Sequence, residues 1–184
     1  MARNFLLTGF GPFLNVDDNP SGKLAEALNG TLLKTKHGSV QICGKVLAVR
    51  YDSCAAETLL AARQIDAIGI LGMGVARSAT EPHVERTGHA ACDGVTKDAD
   101  GQTRASLGTI AQYQSTHSAA LATALGVTLS DDAGAYVCNA WMYGVLAGLQ
   151  PPAKALPAAF LHVISEGFPA DALAAGLTLW INGF

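Results

Sequence analysis

The clearest strand signal in the chain is the continuous apolar run Ala67-Ile68-Gly69-Ile70-Leu71, which Gly72 closes. A strand that is buried on both faces has an unbroken hydrophobic run rather than an alternation of polar and apolar residues. The run therefore predicts a central strand of a parallel sheet. Because such a sheet is covered by helices on both faces, the flanking sequence should alternate between strands and helices.

Predicted strands and helices do alternate along the chain. Short apolar segments predict strands at residues 5–8, 40–49, 67–71, 127–129 and 160–164. Segments rich in Ala and Leu, with helix start signals, predict helices at residues 20–28, 53–63, 117–125, 138–149 and 170–181. Residues 75–103 are polar, with Gly and Asp spread through them, and are predicted to be a loop with a turn at 98–101. This order predicts a doubly wound α/β fold in one domain covering residues 1–184.

The composition predicts a soluble protein that buries much apolar surface. Of the 184 residues, 49% are hydrophobic, and the formal net charge is −3. A parallel sheet covered on both faces and an interface between subunits would each absorb this apolarity. The chain has no basic cluster that predicts nucleic-acid binding, and no apolar run reaches the roughly 18 residues of a membrane span.

The cysteines and the N-terminal residues predict a cytoplasmic location. Thr8-Gly9 follows the first apolar residues too early for a signal peptide. Cys43, Cys54, Cys92 and Cys138 show no Cys-x-x-Cys spacing, so we expect them to be reduced thiols.

A possible nucleophile lies in the stretch Ser130-Asp131-Asp132-Ala133-Gly134-Ala135-Tyr136-Val137-Cys138-Asn139, where a short strand gives way to a helix. The positive end of a helix dipole should lower the pKa of the Cys138 thiol. His162 lies in the last predicted strand and Glu85 in the polar segment. Each residue alone fits a structural role, as a buried thiol, a core histidine or a solvated carboxylate. Together they fit a thiol hydrolase, in which an imidazole carries the proton and a carboxylate fixes its tautomer.

Metal and cofactor motifs give a weaker signal. Residues 83–92 contain His83, Glu85, His89 and Cys92, and His-x-Glu opens the zinc deaminase signature. The Pro-Cys-x-x-Cys part of that signature is missing, so a zinc enzyme that uses His83, His89 and Cys92 remains the rival hypothesis. The chain has no complete P-loop, dinucleotide fingerprint, nucleophile elbow or calcium loop. We therefore expect neither a cofactor nor a metal.

Five motifs, in chain order, resemble one known family. They are Thr8-Gly9-Phe10-Gly11-Pro12-Phe13 with Asn19-Pro20-Ser21, then Leu47-Ala48-Val49-Arg50-Tyr51, Val84-Glu85-Arg86-Thr87-Gly88-His89, the Cys138 stretch quoted above, and Phe160-Leu161-His162-Val163. The Cys138 motif is long and specific, and the opening motif is nearly so. The chain resembles the pyroglutamyl peptidase I family, the pyrrolidone-carboxylate peptidases of cysteine peptidase family C15.

The resemblance implies a phosphorylase/hydrolase-like α/β/α sandwich with a mostly parallel twisted sheet, and a homo-oligomer, either a tetramer or a dimer. It implies a triad of Glu85, Cys138 and His162 that removes N-terminal pyroglutamate from peptides or amides through a thioester, without a cofactor. By the same resemblance, Phe10 and Phe13 line the pyrrolidone pocket. The expected substrate contacts are Phe10, Phe13, Asn19, Met73 and Val137.

Two further alternatives stay open. Segments 90–104 and 164–169 depart from the family pattern, which would suit a related thiol amidase that acts on another small lactam or amide. A binding protein that keeps the fold without catalysis is the second alternative, and the presence of all three triad residues argues against it.

Overall fold

The computed structural model describes residues 2–13, 17–151 and 156–184. The strands are β1 (Arg3–Phe10), β2 (Leu32–Thr35), β3 (Gly38–Leu47), β4 (Ala67–Val75), β5 (His83–Glu85), β6 (Thr87–His89), β7 (Gln112–Gln114), β8 (Thr128–Ser130) and β9 (Ala158–Val163). The helices are α1 (Pro20–Leu28), α2 (Cys54–Gln64), α3 (Ser118–Leu125), α4 (Val137–Gly148) and α5 (Ala170–Ile181). Within these described residues, no helix is both long enough and apolar enough to span a bilayer.

Seven strands form one sheet in the order β2-β3-β1-β4-β9-β5-β8. The pairs β1–β3, β1–β4, β4–β9 and β5–β8 are parallel, whereas β2–β3 and β5–β9 are antiparallel. Strands β6 and β7 form a separate antiparallel pair. The run that begins at Ala67 is the fourth strand of the seven, so its predicted central position is confirmed.

Helices cover both faces of the large sheet. On one face α1, α3 and α5 pack against side chains such as Phe5, Leu7 and Leu161. On the other face α2 and α4 pack against side chains such as Leu6, Ile70 and Phe160. The alternation of Leu6 and Leu7 between the two cores follows from the two-residue period of a strand. The predicted α/β/α sandwich with a mostly parallel sheet is therefore confirmed.

The ten predicted elements are all present, and the helix at 170–181 has the predicted bounds. The prediction of loop across 75–103 is wrong at β5 and β6, and the strands β2 and β7 were not predicted. The four missed strands have three or four residues and are largely polar, as in Gln112-Tyr113-Gln114, so they show neither an apolar run nor a clear alternation. The correction matters for function because Glu85, predicted in a loop, lies on a strand of the main sheet.

Strand β4 continues past Gly72, where the prediction ended it, through its pairing with β9, and helix α4 lies directly on its glycines. A Cβ atom at Gly72 would lie 2.6 Å from the Trp141 ring, and one at Gly74 would lie 2.5 Å from Cys138 Sγ. Side chains at these two positions would hold α4 away from the sheet. The glycines therefore determine how deeply the helix that carries Cys138 is seated.

A buried hydrogen bond fixes α4 against α2. Trp141 Nε1 donates to Thr58 Oγ1 over 2.8 Å, and Thr58 Oγ1 donates to the Cys54 carbonyl, also over 2.8 Å. The indole is 1% exposed and Thr58 is fully buried, so no water can replace either partner. This pair orients α4 over Gly72.

We predict that Thr58→Val destabilises the protein by about 1–3 kcal/mol, because valine has the same shape but leaves the buried Trp141 N–H without an acceptor. The matched control is Thr123→Val, since Thr123 makes the same bond to the residue four positions earlier but is exposed. That change should alter stability by less than about 0.5 kcal/mol. Urea denaturation measures both, and equal losses would contradict the assignment.

Candidate active site

The antiparallel pairing of β5 with β9 brings Glu85 and His162 together. His83 lies opposite His162 in the register, and Glu85 lies opposite Phe160. His162 Nδ1 lies 2.7 Å from Glu85 Oε1, a hydrogen-bond distance at which the ring N–H donates to the carboxylate. The Glu85 side chain is fully buried and that of His162 is 7% exposed. The carboxylate therefore fixes the orientation of the ring and keeps the Nδ1–H tautomer, which leaves Nε2 free to accept a proton.

Strand β9, which carries His162, lies between β5, which carries Glu85, and β4. Cys138 approaches His162 from the β4 side. It is the second residue of α4, and its sulfur lies over Gly74. Gly74 is the direct partner of His162 in the parallel pairing of β4 with β9. The Phe160 ring lies beside the His162 ring, with centroids 5.1 Å apart. The structure thus gathers three residues that are far apart in the sequence: Cys138 on α4 lies over β4, His162 lies on the adjacent strand β9, and Glu85 lies on β5, the next strand.

The pKa of the resting Cys138 thiol is raised, to about 12, so the expectation of a lowered value is wrong. Burial is the main cause because it disfavours the thiolate, and the negative charge of Glu85 adds to it. The backbone N–H of Cys138 acts in the opposite direction but is outweighed. The resting thiol is therefore neutral, and it must lose its proton during the reaction rather than before it.

The Glu85 carboxyl is ionised despite its burial. Burial alone would raise its pKa, but hydrogen bonds from His162 and Ser130 and the charges of two imidazoles outweigh burial, and the net pKa is lowered. Ser130 is the neighbour of Glu85 in the β5–β8 pairing. An ionised carboxylate at 2.7 Å from Nδ1 stabilises the imidazolium that forms when His162 takes a proton.

Asp131 and Asn139 hold the Cys138 stretch against β6, and neither role was predicted from the sequence. Asp131 accepts hydrogen bonds from Arg86 and from Thr87 Oγ1, and these bonds, with Arg86 first, lower its pKa to about 2. Asn139 is fully buried and bonds both the N–H and the carbonyl of His89. The pairs Asp131-Asp132 and Cys138-Asn139 in the motif are the sequence features that could have predicted these contacts.

A cavity of about 90 Å³ opens beside the Cys138 thiol at the carboxyl ends of parallel strands, where α/β proteins commonly bind ligands. It is lined by Phe10, Phe13, Asn19, Val49, Val75, Tyr136, Val137 and Cys138. The cavity is small and lined mostly by apolar and aromatic side chains, so it suits a small uncharged ring. Phe13 stacks on Tyr136 with ring centroids 5.9 Å apart, and this pair makes one wall flat and aromatic.

Four of the five expected substrate contacts line this cavity, namely Phe10, Phe13, Asn19 and Val137. Met73 does not, because it is fully buried in the core on the face covered by α1, α3 and α5. Asn19 caps α1 by accepting from the Ser21 N–H, and it donates to the Gly11 carbonyl, so its amide shapes the loop as well as the cavity. Tyr136, Val49 and Val75 line the cavity but were not predicted.

The grouping of His83, His89 and Cys92 as a zinc site is not what the structure assembles. His89 Nε2 lies 2.8 Å from the Asp131 backbone carbonyl, a contact that occupies one ring nitrogen. Among the residues that the structure describes, the one His/Cys/Asp/Glu group close enough to share a cation is His83, Glu85 and His162. Two of these belong to the candidate triad.

We predict that alkylation of Cys138 in the resting protein is slow at neutral pH and still accelerates at pH 10, because its pKa is about 12. Iodoacetamide labelling followed by peptide mass spectrometry resolves the four cysteines, and circular dichroism checks the fold at each pH. Free cysteine is the control, with a rate that levels off above its pKa of about 8.5. A labelling rate at Cys138 that levels off below pH 7 would instead show a preformed thiolate.

Comparison with known proteins agrees with this geometry. A model of the pyroglutamyl peptidase family matches residues 3–170. The pyrrolidone-carboxylate peptidase of Deinococcus radiodurans is 30% identical over 183 aligned residues, covering 90% of this chain and 82% of that protein. The pyrrolidone-carboxylate peptidase of Saccharolobus islandicus is 42% identical over 72 residues, covering 39% of this chain and 32% of that protein.

Solved structures share the fold. The pyrrolidone carboxyl peptidase from Thermococcus litoralis superposes with a TM-score of 0.83 at 22% identity, covering 97% of this chain and 91% of that one. The pyroglutamyl peptidase I from Bacillus amyloliquefaciens gives 0.81 at 21% identity, with 97% and 93% covered. With a family model that matches nearly the whole chain, the conclusion follows that this chain belongs to the pyroglutamyl peptidase family.

Proposed function

We propose that this protein is a cysteine exopeptidase that hydrolyses the bond after an N-terminal pyroglutamyl residue in peptides and amides. The observation that carries the proposal is the Cys138 thiol seated over Gly74, the strand partner of His162, whose Nδ1 is 2.7 Å from the buried Glu85 carboxylate. Membership of the pyroglutamyl peptidase family supports it independently.

In the proposed first step, Cys138 Sγ attacks the pyroglutamyl carbonyl carbon while His162 Nε2 takes the thiol proton. The two events are coupled because the resting thiol has a pKa of about 12 and does not ionise alone at neutral pH. Glu85 stabilises the imidazolium. His162 then returns the proton to the nitrogen of the leaving amine, the C–N bond breaks, and a thioester remains on Cys138.

In the second step, water attacks the thioester carbonyl and His162 accepts its proton. The C–S bond breaks, the thiol is regenerated, and free pyroglutamate leaves. Both steps pass through a tetrahedral oxyanion. We assign its stabilisation to backbone N–H groups in the first turn of α4, because no side chain caps that turn among the described residues.

The cavity supports the choice of a lactam. Its walls are mostly apolar and aromatic. A pyroglutamyl ring is flat and uncharged, so it loses little on leaving water, whereas a glutamyl or lysyl N-terminus would bring an ammonium group into the cavity without a partner. The Phe13–Tyr136 pair would stack on the ring face.

No observation favours the alternatives. A thiol amidase for another small lactam would use the same triad, and the choice of substrate amide in the assay below separates it from a pyroglutamyl peptidase. A binding protein without catalysis would have no need for a buried ionised carboxylate on His162. A zinc enzyme that uses His83, His89 and Cys92 would need a ligand set that the fold does not bring together.

We further propose that residues 1–184 act as one domain in the cytoplasm and assemble into a homodimer or homotetramer. Four cysteines without disulfides support a reducing compartment. The hydrophobic share of 49% supports an interface between copies, which would bury part of that apolar surface. Analytical ultracentrifugation tests the assembly.

The primary test is release of a fluorophore from pyroglutamyl, prolyl and alanyl amides. We predict turnover of the pyroglutamyl amide alone, and a loss of at least about 10³-fold in Cys138→Ala because the nucleophile is absent. Cys43→Ala is the matched control, since Cys43 lies on β3 away from the cavity, and it should keep the parental rate. Preference for another amide would favour the thiol amidase, and no turnover of any amide would favour the binding protein.

A second kinetic prediction concerns the two residues that handle the proton. Glu85→Gln should retain some activity, because an amide oxygen still accepts from Nδ1–H but no longer carries the charge that stabilises the imidazolium. His162→Ala should lose nearly all activity, and the double variant should be little worse than His162→Ala alone, since both act in one unit.

Measurement of kcat/KM for the three variants, with circular dichroism as the folding check, decides this. Additive losses, or a Glu85→Gln enzyme as active as the parent, would make Glu85 a bystander.

A further inference from the structure

His83 is outside the proposed triad, yet it contacts the same carboxylate oxygen as His162. Its Nε2 lies 2.9 Å from Glu85 Oε1, and its ring centroid is 5.3 Å from that of His162. The two-residue period of β5 places His83 and Glu85 on one face, and the register with β9 places His162 opposite His83. One carboxylate oxygen thus receives two imidazoles.

The hydrogen-bond requirements of His83 are not met by a neutral ring. Its Nδ1 lies 3.2 Å from the Glu81 backbone carbonyl, and its Nε2 faces Glu85 Oε1. Both partners are acceptors, whereas a neutral imidazole has a single N–H. If the proton is on Nδ1, the Nε2 lone pair points at a carboxylate oxygen, and a metal ion between the two atoms makes that contact favourable.

We propose that His83 Nε2, Glu85 Oε1 and His162 Nδ1 form a binding site for a zinc-like divalent cation that inhibits the enzyme. The three ligand atoms lie within 4.8 Å of one another. Two imidazole nitrogens and one carboxylate oxygen form a typical three-ligand zinc set, with the fourth position left to water. Magnesium and calcium prefer oxygen ligands, so the set selects zinc, cobalt or nickel.

The surroundings of His83 support a metal rather than only a proton. A metal-bound histidine usually donates its other ring N–H to a carbonyl or a carboxylate, which fixes the tautomer. The Glu81 carbonyl holds this position for His83. The buried Glu85 also supplies a negative charge that a divalent cation more than neutralises, and its Oε2 has no hydrogen bond of ordinary geometry among the described residues.

Inhibition follows from the proton positions, and this part rests on the proposed function. A metal on Nδ1 of His162 takes the lone pair there, and the ring proton moves from Nδ1 to Nε2. An Nε2–H cannot accept the proton of the Cys138 thiol, so the attack on the substrate is blocked. The cation also neutralises the negative charge of Glu85, which would otherwise stabilise the imidazolium. Metal binding and catalysis therefore exclude one another.

Isothermal titration calorimetry with zinc chloride tests the site without relying on activity. The titrated protein is Cys138→Ala, because a thiol is itself a zinc ligand. We expect one zinc ion to bind per chain, and to bind at least about 10-fold more weakly in Cys138→Ala/His83→Gln, in which one ligand is lost. His37→Gln in the same background is the matched control, since His37 is exposed at the turn between β2 and β3.

Cobalt(II) absorption of the unmodified protein gives a readout that does not depend on how the variants fold. A site made of His83, Glu85 and His162 should show visible bands without a charge-transfer band from sulfur to cobalt. A sulfur band, or zinc binding that Cys138→Ala abolishes and His83→Gln leaves unchanged, would move the metal to the thiol and overturn the proposal. No binding to Cys138→Ala at micromolar zinc would also overturn it.

The inhibition is measured as the ratio of the rate with zinc to the rate without it, for each protein separately. We expect a chelator to reverse it and His83→Gln to weaken it at least about 10-fold, whereas His37→Gln should not change it. If calorimetry finds the site but no amide is hydrolysed by the unmodified protein, the proposed function fails and the metal site stands. If hydrolysis is normal and calorimetry finds no site, the reverse holds.

Discussion

The close contact between α4 and β4 is the constraint on which the rest of the site depends. Helix α4 can lie on the sheet because Gly72 and Gly74 leave room for the Trp141 ring and the Cys138 sulfur, both of which would be within 2.6 Å of an added Cβ atom. This contact brings a helix N-terminus down to the level of His162. Without it, the thiol and the imidazole would belong to separate layers of the sandwich, and neither could act on the other.

The electrostatics of the site follow from the depth at which the helix is seated. Burial disfavours charge on both Cys138 and Glu85, but only Glu85 has hydrogen-bond donors around it that reverse the effect. The result is a neutral thiol beside an ionised carboxylate, with an imidazole on the carboxylate. In such an arrangement the proton moves from sulfur to nitrogen when a carbonyl carbon accepts the sulfur, so reactivity depends on the substrate being in place.

The buried negative charge of Glu85 also explains the proposed role of His83 as a metal ligand. A carboxylate that supports one imidazole is sufficient for a triad, and a second imidazole on the same oxygen makes a ligand set that a metal would use. In the proposed account, the ring proton on His162 Nδ1 and a divalent metal ion therefore compete for nearly the same position beside Glu85 Oε1.

Much of this architecture was predictable from the sequence, because its major elements are long or strongly patterned. Cys138 and His162 lie at the start of a twelve-residue helix and within a buried six-residue strand, and both were identified. Glu85 was identified by its motif but was predicted in a loop, since the three-residue β5 has no measurable period. Its antiparallel pairing with β9 is a long-range contact that local sequence patterns do not encode.

Two other differences between the predicted and the observed site arise from contacts that form only in the folded chain. The dipole of α4 can be inferred from the sequence, but the burial and the Glu85 charge that outweigh it arise only when the chain is folded. Met73 was assigned to the substrate cavity, but β4 continues past Gly72, and its two-residue period then turns Met73 away from the face on which Cys138 lies. Had the strand been extended by three residues in the prediction, the alternation would have shown this.

The central claim is that Cys138 carries the acyl group, and trapping the thioester tests it most directly. A pyroglutamyl ester with a good leaving group should acylate the protein faster than water deacylates it, giving a burst of product. After acid quenching, mass spectrometry of the peptides should find one pyroglutamyl group on the peptide that contains Cys138, and hydroxylamine should remove it. A pyroglutamyl group on another residue, or a burst of equal size from Cys138→Ala, would contradict the account.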